Sequence, residues 1–274
     1  MQATANQHLV DTQWLSEHLN DTDLIILDAT IGKTTTHTSA NVCIPGAQFF
    51  DLKKDFCEPD APFPSTVPTA KTFEKGCQKL GITAQSTLVI YDDKGIYSSP
   101  RAWWLFSIMG HPKVFVLDGG LPAWQAANYP VTNKYAAPKA LGNFKAQLQL
   151  ENIRFFKDIE ENLLQKEFLL VDARSAGRFT NTEADPRPGL RSGHIPDSYN
   201  LPYTELLENG KFKSVEKLKK VFQPLLKEKR PLVFSCGSGI TACVVLLASE
   251  GILPQPKSVF DGSWTEWATR VAAD

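Results

Sequence analysis

The chain repeats itself, and that repetition limits what it can fold into more than any other feature. Leu27-Asp28-Ala29 matches Val171-Asp172-Ala173 at an offset of 144 (171 against 27). Leu88-Val-Ile-Tyr-Asp-Asp-Lys-Gly-Ile96 matches Leu232-Val-Phe-Ser-Cys-Gly-Ser-Gly-Ile240 at the same offset, 144 (232 against 88). Val116-Leu-Asp-Gly119 matches Val259-Phe-Asp-Gly262 at 143, and Cys43-Ile-Pro45 matches His194-Ile-Pro196 at 151, a longer loop in the second half taking up the difference. A tandem duplication of this kind requires two copies of one fold. The 274 residues fit two domains of ordinary size, read here as 1–135 and 150–274 with a linker at 136–149.

Each copy alternates strands with helices, the pattern of a parallel sheet. In the first half, Asp11 or Thr12 can cap a helix carrying Trp14, Leu15, His18 and Leu19. Leu24-Ile-Ile-Leu-Asp28, Thr87-Leu-Val-Ile-Tyr91 and Lys113-Val-Phe-Val-Leu117 read as buried strands, with a short further strand around Phe49-Phe-Asp51. Ser99 is expected to cap a helix with Pro100 first and Gly110 past its end. Residues 34–39 read as polar and weakly structured, and the prolines at 59, 62, 64 and 68 mark a long irregular loop.

The second copy holds the chemistry. Pro231-Leu-Val-Phe-Ser235 is a short buried strand, Cys236-Gly-Ser-Gly239 a loop of small residues, and 241–249 an apolar run of helical length. A cysteine that ends a strand and opens a helix sits where backbone N–H groups converge, and those donors with the helix dipole favour the thiolate. Gly237 and Gly239 let the backbone curl around the sulfur. Asp92 stands at the position equivalent to Cys236, so the first copy is expected to lack this reactivity.

Charge and composition narrow the alternatives. Hydrophobic residues make up 42% and charged residues 22%, with a formal net charge of −1, as in an ordinary globular protein with no bias toward nucleic acid or an anionic membrane. No apolar run approaches a membrane span, and the start of the chain lacks the pattern of a signal peptide, so a cytoplasmic location is expected. Five cysteines without a CxxC pair argue against a disulfide framework or a zinc site. No metal and no other cofactor is expected.

Taken together, Asp118-Gly-Gly120 and Asp261-Gly-Ser-Trp264, His194-Ile-Pro196 and Cys236-Gly-Ser-Gly-Ile-Thr241 resemble the tandem-domain rhodanese-type sulfurtransferases. Ile44-Pro-Gly-Ala-Gln-Phe-Phe-Asp51 and Tyr97-Ser-Ser-Pro-Arg-Ala-Trp-Trp104 resemble that family's first domain. The resemblance spans residues 10–267 and implies an α/β architecture: two rhodanese-like domains, each a small, mostly parallel sheet flanked by helices, with the site at the strand ends facing the other domain. It also implies sulfur transfer through a persulfide on Cys236.

Within the family, the loop is similar to that of the 3-mercaptopyruvate branch. The thiosulfate branch carries basic residues directly after the cysteine, where this chain has Gly237 and Ser238. The resemblance assigns the substrate carboxylate to Arg178 and Arg187, whose guanidinium forks suit a carboxylate beside a ketone. It assigns the persulfide to the loop amides of Gly237, Ser238, Gly239, Ile240 and Thr241. The acceptor it implies is cyanide, a small thiol or a thioredoxin. One departure stands out. The branch usually has histidine where this chain has Cys43, so the Ser–His–Asp relay the resemblance implies retains Ser238 but no placed histidine.

Plainer readings exist for several of these residues. Arg178 and Arg187 could be surface ion-pair partners, and Ser238 and Thr241 simple loop and cap residues; the favoured reading has Ser238 bonding substrate and Thr241 shaping the helix start. Cys243, Cys57 and Cys77 read as packing residues. Cys43 reads as a neutral filler at the domain interface, with redox pairing to Cys236 as the alternative. His194 reads as fixing a turn, and Asp172 as anchoring loop hydrogen bonds at a strand end. Rival functions are thiosulfate:cyanide sulfur transfer and a non-catalytic sulfur-carrier or binding module. A cysteine phosphatase would need arginine six residues after the cysteine, where Ala242 stands.

Overall fold

The computed structural model describes residues 6–33 and 42–272; the segment 34–39 lies outside them. The chain divides into two compact units. The first comprises residues 1–59, 67–148 and 208–212, and the second 60–66, 149–207 and 213–274.

In the first unit the order is β1 (Leu9–Val10), α1 (Thr12–His18), β2 (Leu24–Asp28), β3 (Gln48–Phe49), α2 (Ala70–Lys79), β4 (Thr87–Tyr91), α3 (Ser99–Ile108), β5 (Val114–Leu117) and α4 (Gly120–Ala126). In the rest of the chain come β6 (Ile153–Arg154), α5 (Phe156–Gln165), β7 (Leu169–Asp172), α6 (Ala176–Phe179), β8 (Tyr199–Asn200), and β9 (Leu207–Glu208) with β10 (Lys211–Phe212). Then follow α7 (Val215–Val221), α8 (Gln223–Leu226), β11 (Leu232–Ser235), α9 (Ala242–Ser249), β12 (Lys257–Phe260) and α10 (Ser263–Arg270). Among the described residues no helix is long and apolar enough to cross a membrane.

The duplication is visible in the sheets. The first runs β1-β5-β4-β2-β3 and the second β6-β12-β11-β7-β8, each strand replaced by its equivalent. Neighbouring strands in both sheets are parallel, with Val89 opposite Ile26 and Val233 opposite Leu170 at matching places. Central strands β4 and β11 are buried along nearly their whole length, which is why they read as unbroken apolar runs. Each unit has its own core: Leu15, Ile26, Val89, Leu117 and Trp124 in the first, Ile159, Leu170, Val233, Phe260 and Trp264 in the second. Burying such a side chain contributes about 1.5–3 kcal/mol.

Local side-chain chemistry sets where these elements begin and end. Asp11 caps α1, its carboxylate accepting the Trp14 N–H at 2.7 Å. The cap of α3 is Ser98 rather than Ser99, and Pro100 is second in the helix. The reason is chemical: the Ser99 hydroxyl and N–H are both committed to the Asp92 carboxylate. The strand expected through Asp51 stops at Phe49, because the Asp51 carboxylate accepts the N–H groups of Lys53 and Lys54 and turns the chain. The joining residues lie against the first unit, where Gly142 donates to Gln78 and Phe144 is buried.

Candidate active site

Cys236 follows directly on β11 and is 2% exposed. The loop after it carries Ser238 and Ile240, both buried, and reaches Thr241, the N-cap residue of α9. Thr241 occupies the cap position expected for it, but its side chain makes no capping hydrogen bond. Every residue of α9 is buried, so the helix is apolar all round and its start is held rigidly behind the loop. Cys243 belongs to that packing, its thiol 3.4 Å from the Gly239 carbonyl.

The two loop glycines serve different needs. Gly239 has φ +76°, a left-handed conformation that an L-residue adopts at a cost of about 1–2 kcal/mol. Gly237 is required for space. A β-carbon there would lie 2.7 and 2.8 Å from the Arg187 guanidinium nitrogens and 3.0 Å from Arg178 Nη2. Both arginines therefore stand directly over the cysteine loop.

They are placed by separate elements and tied by one carboxylate. Arg178 rides on the short helix α6, capped by Ser175, whose hydroxyl also donates to Glu183 at 2.7 Å. Arg187 lies in the following loop, where its N–H donates to Asp185 Oδ1 at 3.0 Å. Asp185 accepts from Arg178 Nη2 at 2.5 Å and from Arg187 Nη1 at 3.2 Å, and its side chain is fully buried. Burial pushes the Asp185 carboxyl up, but the hydrogen bonds from Arg178 and the Arg187 backbone, with both guanidinium charges, hold it below its ordinary value. The arginine side chains remain partly open, at 17% and 32%. Two cations and one anion leave a single net positive charge above Cys236.

The first unit shows what such a loop does with an anion. Asp92 follows β4 as Cys236 follows β11 and is fully buried. Its Oδ2 accepts the N–H groups of Tyr97, Ser98 and Ser99 at 2.9–3.0 Å and the Ser99 hydroxyl at 2.6 Å, while Oδ1 accepts from Lys94 N–H at 2.9 Å. The carboxylate fills its own cradle. At the duplication offset the same donor positions fall on Ser238, Thr241, Ala242 and Cys243 in the second unit, with a sulfur in place of the carboxylate.

These similarities extend to known proteins. The rhodanese-like domain model matches residues 11–127 and again 156–270. The chain belongs to the rhodanese family. The chain is 39% identical to the human 3-mercaptopyruvate sulfurtransferase over 96% of its own length and 92% of that protein's. It is 36% identical to the mouse thiosulfate sulfurtransferase over 96% and 92% of the two chains. Among solved structures, the 3-mercaptopyruvate sulfotransferase SseA of Escherichia coli superposes with a TM-score of 0.83 at 34% identity, covering 94% of this chain and 98% of that one.

Other residues singled out in the sequence have structural partners of their own. Asp172 pairs with buried Arg174, whose Nε is 2.9 Å from Oδ2, and its Oδ1 accepts the Arg174 N–H at 2.9 Å, closing the strand end. The Arg174 guanidinium stacks over Trp264 at 4.3 Å, with Arg191 over the same ring at 5.0 Å. His194 bonds the Phe179 carbonyl at 3.0 Å and stacks on the Phe179 ring at 4.2 Å, both contacts fixing the turn after α6. Cys43 is fully buried in the first unit's core, where burial pushes its thiol up despite the nearby Lys33 cation. The roles of Asp185 and Arg174 escaped sequence reasoning. Asp185 stands inside the stretch that carries Arg187, and Arg174 two residues after Asp172. Nothing in their spacing states which partner each takes.

Proposed function

We propose that this protein is a sulfurtransferase that takes sulfur from 3-mercaptopyruvate onto Cys236 and passes it to a thiol or to cyanide. The observation that carries this reading is the pair Arg178 and Arg187, joined by Asp185, directly over Gly237. Their summed charge of +1 matches one carboxylate, whereas thiosulfate, a dianion, would gain from cations in the 237–241 loop, which has none.

In the proposed mechanism the Cys236 thiolate attacks the donor's sulfur. A sulfur–sulfur bond forms and the carbon–sulfur bond breaks, its electron pair leaving with pyruvate as the enolate, which then takes a proton on carbon. Arg178 and Arg187 hold the carboxylate and ketone and oppose the charge that develops on the enolate oxygen. The persulfide rests on the amides of Gly237, Ser238, Gly239, Ile240 and Thr241. An acceptor thiolate, from a small thiol or a thioredoxin, then attacks the outer sulfur and releases the Cys236 thiolate.

Turnover measured in parallel on 3-mercaptopyruvate and on thiosulfate, with cyanide as acceptor, tests the donor. A higher kcat/KM on 3-mercaptopyruvate that falls about 30-fold or more in Arg187→Ala is expected, from loss of a charge-assisted fork. A preference for thiosulfate that survives Arg187→Ala would refute the assignment.

A further inference from the structure

The two halves of the duplication differ where the last helix of each unit meets the loop after its central strand. The first unit has Gly120-Leu121-Pro122 there, and the second has Ser263-Trp264-Thr265. Both Gly120 and Ser263 have φ +51°, although the residue before differs, Gly119 with φ +85° and Gly262 with φ −68°. One hydrogen bond is also shared: Leu121 N–H donates to the Asp92 carbonyl at 3.0 Å, and Trp264 N–H to the Cys236 carbonyl at 2.9 Å.

Beyond that bond the units diverge. Gly120 has no side chain and Pro122 has no N–H. In the second unit, Thr265 donates its N–H at 3.1 Å and its hydroxyl at 2.5 Å to the Gly237 carbonyl. The Ser263 hydroxyl accepts the Cys236 N–H at 3.2 Å and donates to the Phe260 carbonyl at 2.9 Å. Ser263 is fully buried and keeps a left-handed conformation that glycine adopts more easily. A hydroxyl is thus retained against local backbone preference, in the unit with the cysteine and not in its copy.

We propose that Ser263 and Thr265 are positioning residues for Cys236, fixing its amide and holding the Gly237 carbonyl away from the sulfur. The inference rests on Cys236 being the sulfur carrier. With both carbonyls and the Cys236 N–H engaged by the start of α10, the loop peptides present their N–H edges to the thiolate. Without the Thr265 hydroxyl, the Gly237 carbonyl is held by the residue 265 N–H alone and tilts its negative end toward the sulfur, opposing the charged form.

The test is the pH dependence of Cys236 alkylation by iodoacetamide, followed by peptide mass, beside steady-state sulfur transfer. Thr265→Val keeps the shape and the backbone donor. It is expected to move the alkylation midpoint up by about 0.5–1 pH unit and to lower kcat about 5–10-fold with KM for 3-mercaptopyruvate unchanged. Thr265→Ser is expected to restore both, and Ser263→Gly to slow sulfur loading about 10-fold. A Thr265→Val protein with the wild-type midpoint and kcat, whatever its thermal stability, overturns the proposal for Thr265. Unchanged loading in Ser263→Gly removes Ser263. Should the wild type alkylate normally yet take no sulfur from 3-mercaptopyruvate, the functional reading fails while the alkylation comparison still decides the positioning role.

Discussion

Gly237 leaves no room for a β-carbon because Arg187 occupies that space, with guanidinium nitrogens 2.7 and 2.8 Å from where the carbon would be. The obstacle is the far end of a partly exposed side chain, so the fold can yield while the site cannot. Gly237→Ala is expected to keep its thermal midpoint within a few degrees. Its kcat/KM on 3-mercaptopyruvate should fall about 10–100-fold as the arginines are displaced. Thermal unfolding and steady-state kinetics on one preparation check both halves of this expectation.

Asp185 is held below its ordinary carboxylate pKa, so its contribution to stability has a definite sign with pH. A depressed folded pKa stabilises the protein above the unfolded value, ordinarily 3.8, and that stabilisation is lost as pH falls through the folded value. Asp185→Asn is expected to cost about 2 kcal/mol at neutral pH, the loss of charge-assisted hydrogen bonds. The gap from wild type should narrow steadily once the pH drops below 3.8. Denaturant titrations at neutral and acid pH measure it.

Asp92 accepts four N–H groups and one hydroxyl while fully buried. Asp92→Ala strips the acceptor from all of them and is expected to destabilise the first unit by about 3 kcal/mol or more. Chemical denaturation followed by tryptophan fluorescence reads the loss.

Arg174 and Asp172 form a buried ion pair at a strand end, with side chains 0% and 4% exposed. Removing one partner leaves an uncompensated buried charge. Arg174→Ala is expected to cost about 3–5 kcal/mol, and Arg174→Lys to recover only part of it, since lysine loses the fork and the stacking on Trp264. Denaturant midpoints of the two variants give the comparison.

The sequence made the architecture legible because duplication prints every strand twice. The equivalence of Asp92 and Cys236 was readable from register alone, and the arginine pair from the family resemblance. What stayed hidden depends on three-dimensional placement. The displacement of the α3 cap from Ser99 to Ser98 follows from a carboxylate seven residues away taking the Ser99 hydroxyl. Asp185 reads in sequence as one more acid near two arginines, and only the fold of the 180–192 loop sets it between them. Thr265 lies 28 residues after the carbonyl it holds, on another helix.

The most direct test of Cys236 as the sulfur carrier is intact-protein mass after brief exposure to 3-mercaptopyruvate, with Cys236→Ser beside the wild type. Addition of one sulfur to the wild type, discharged by a thiol and missing in Cys236→Ser, is the predicted result. An equal gain in Cys236→Ser, or no gain in the wild type, would contradict it.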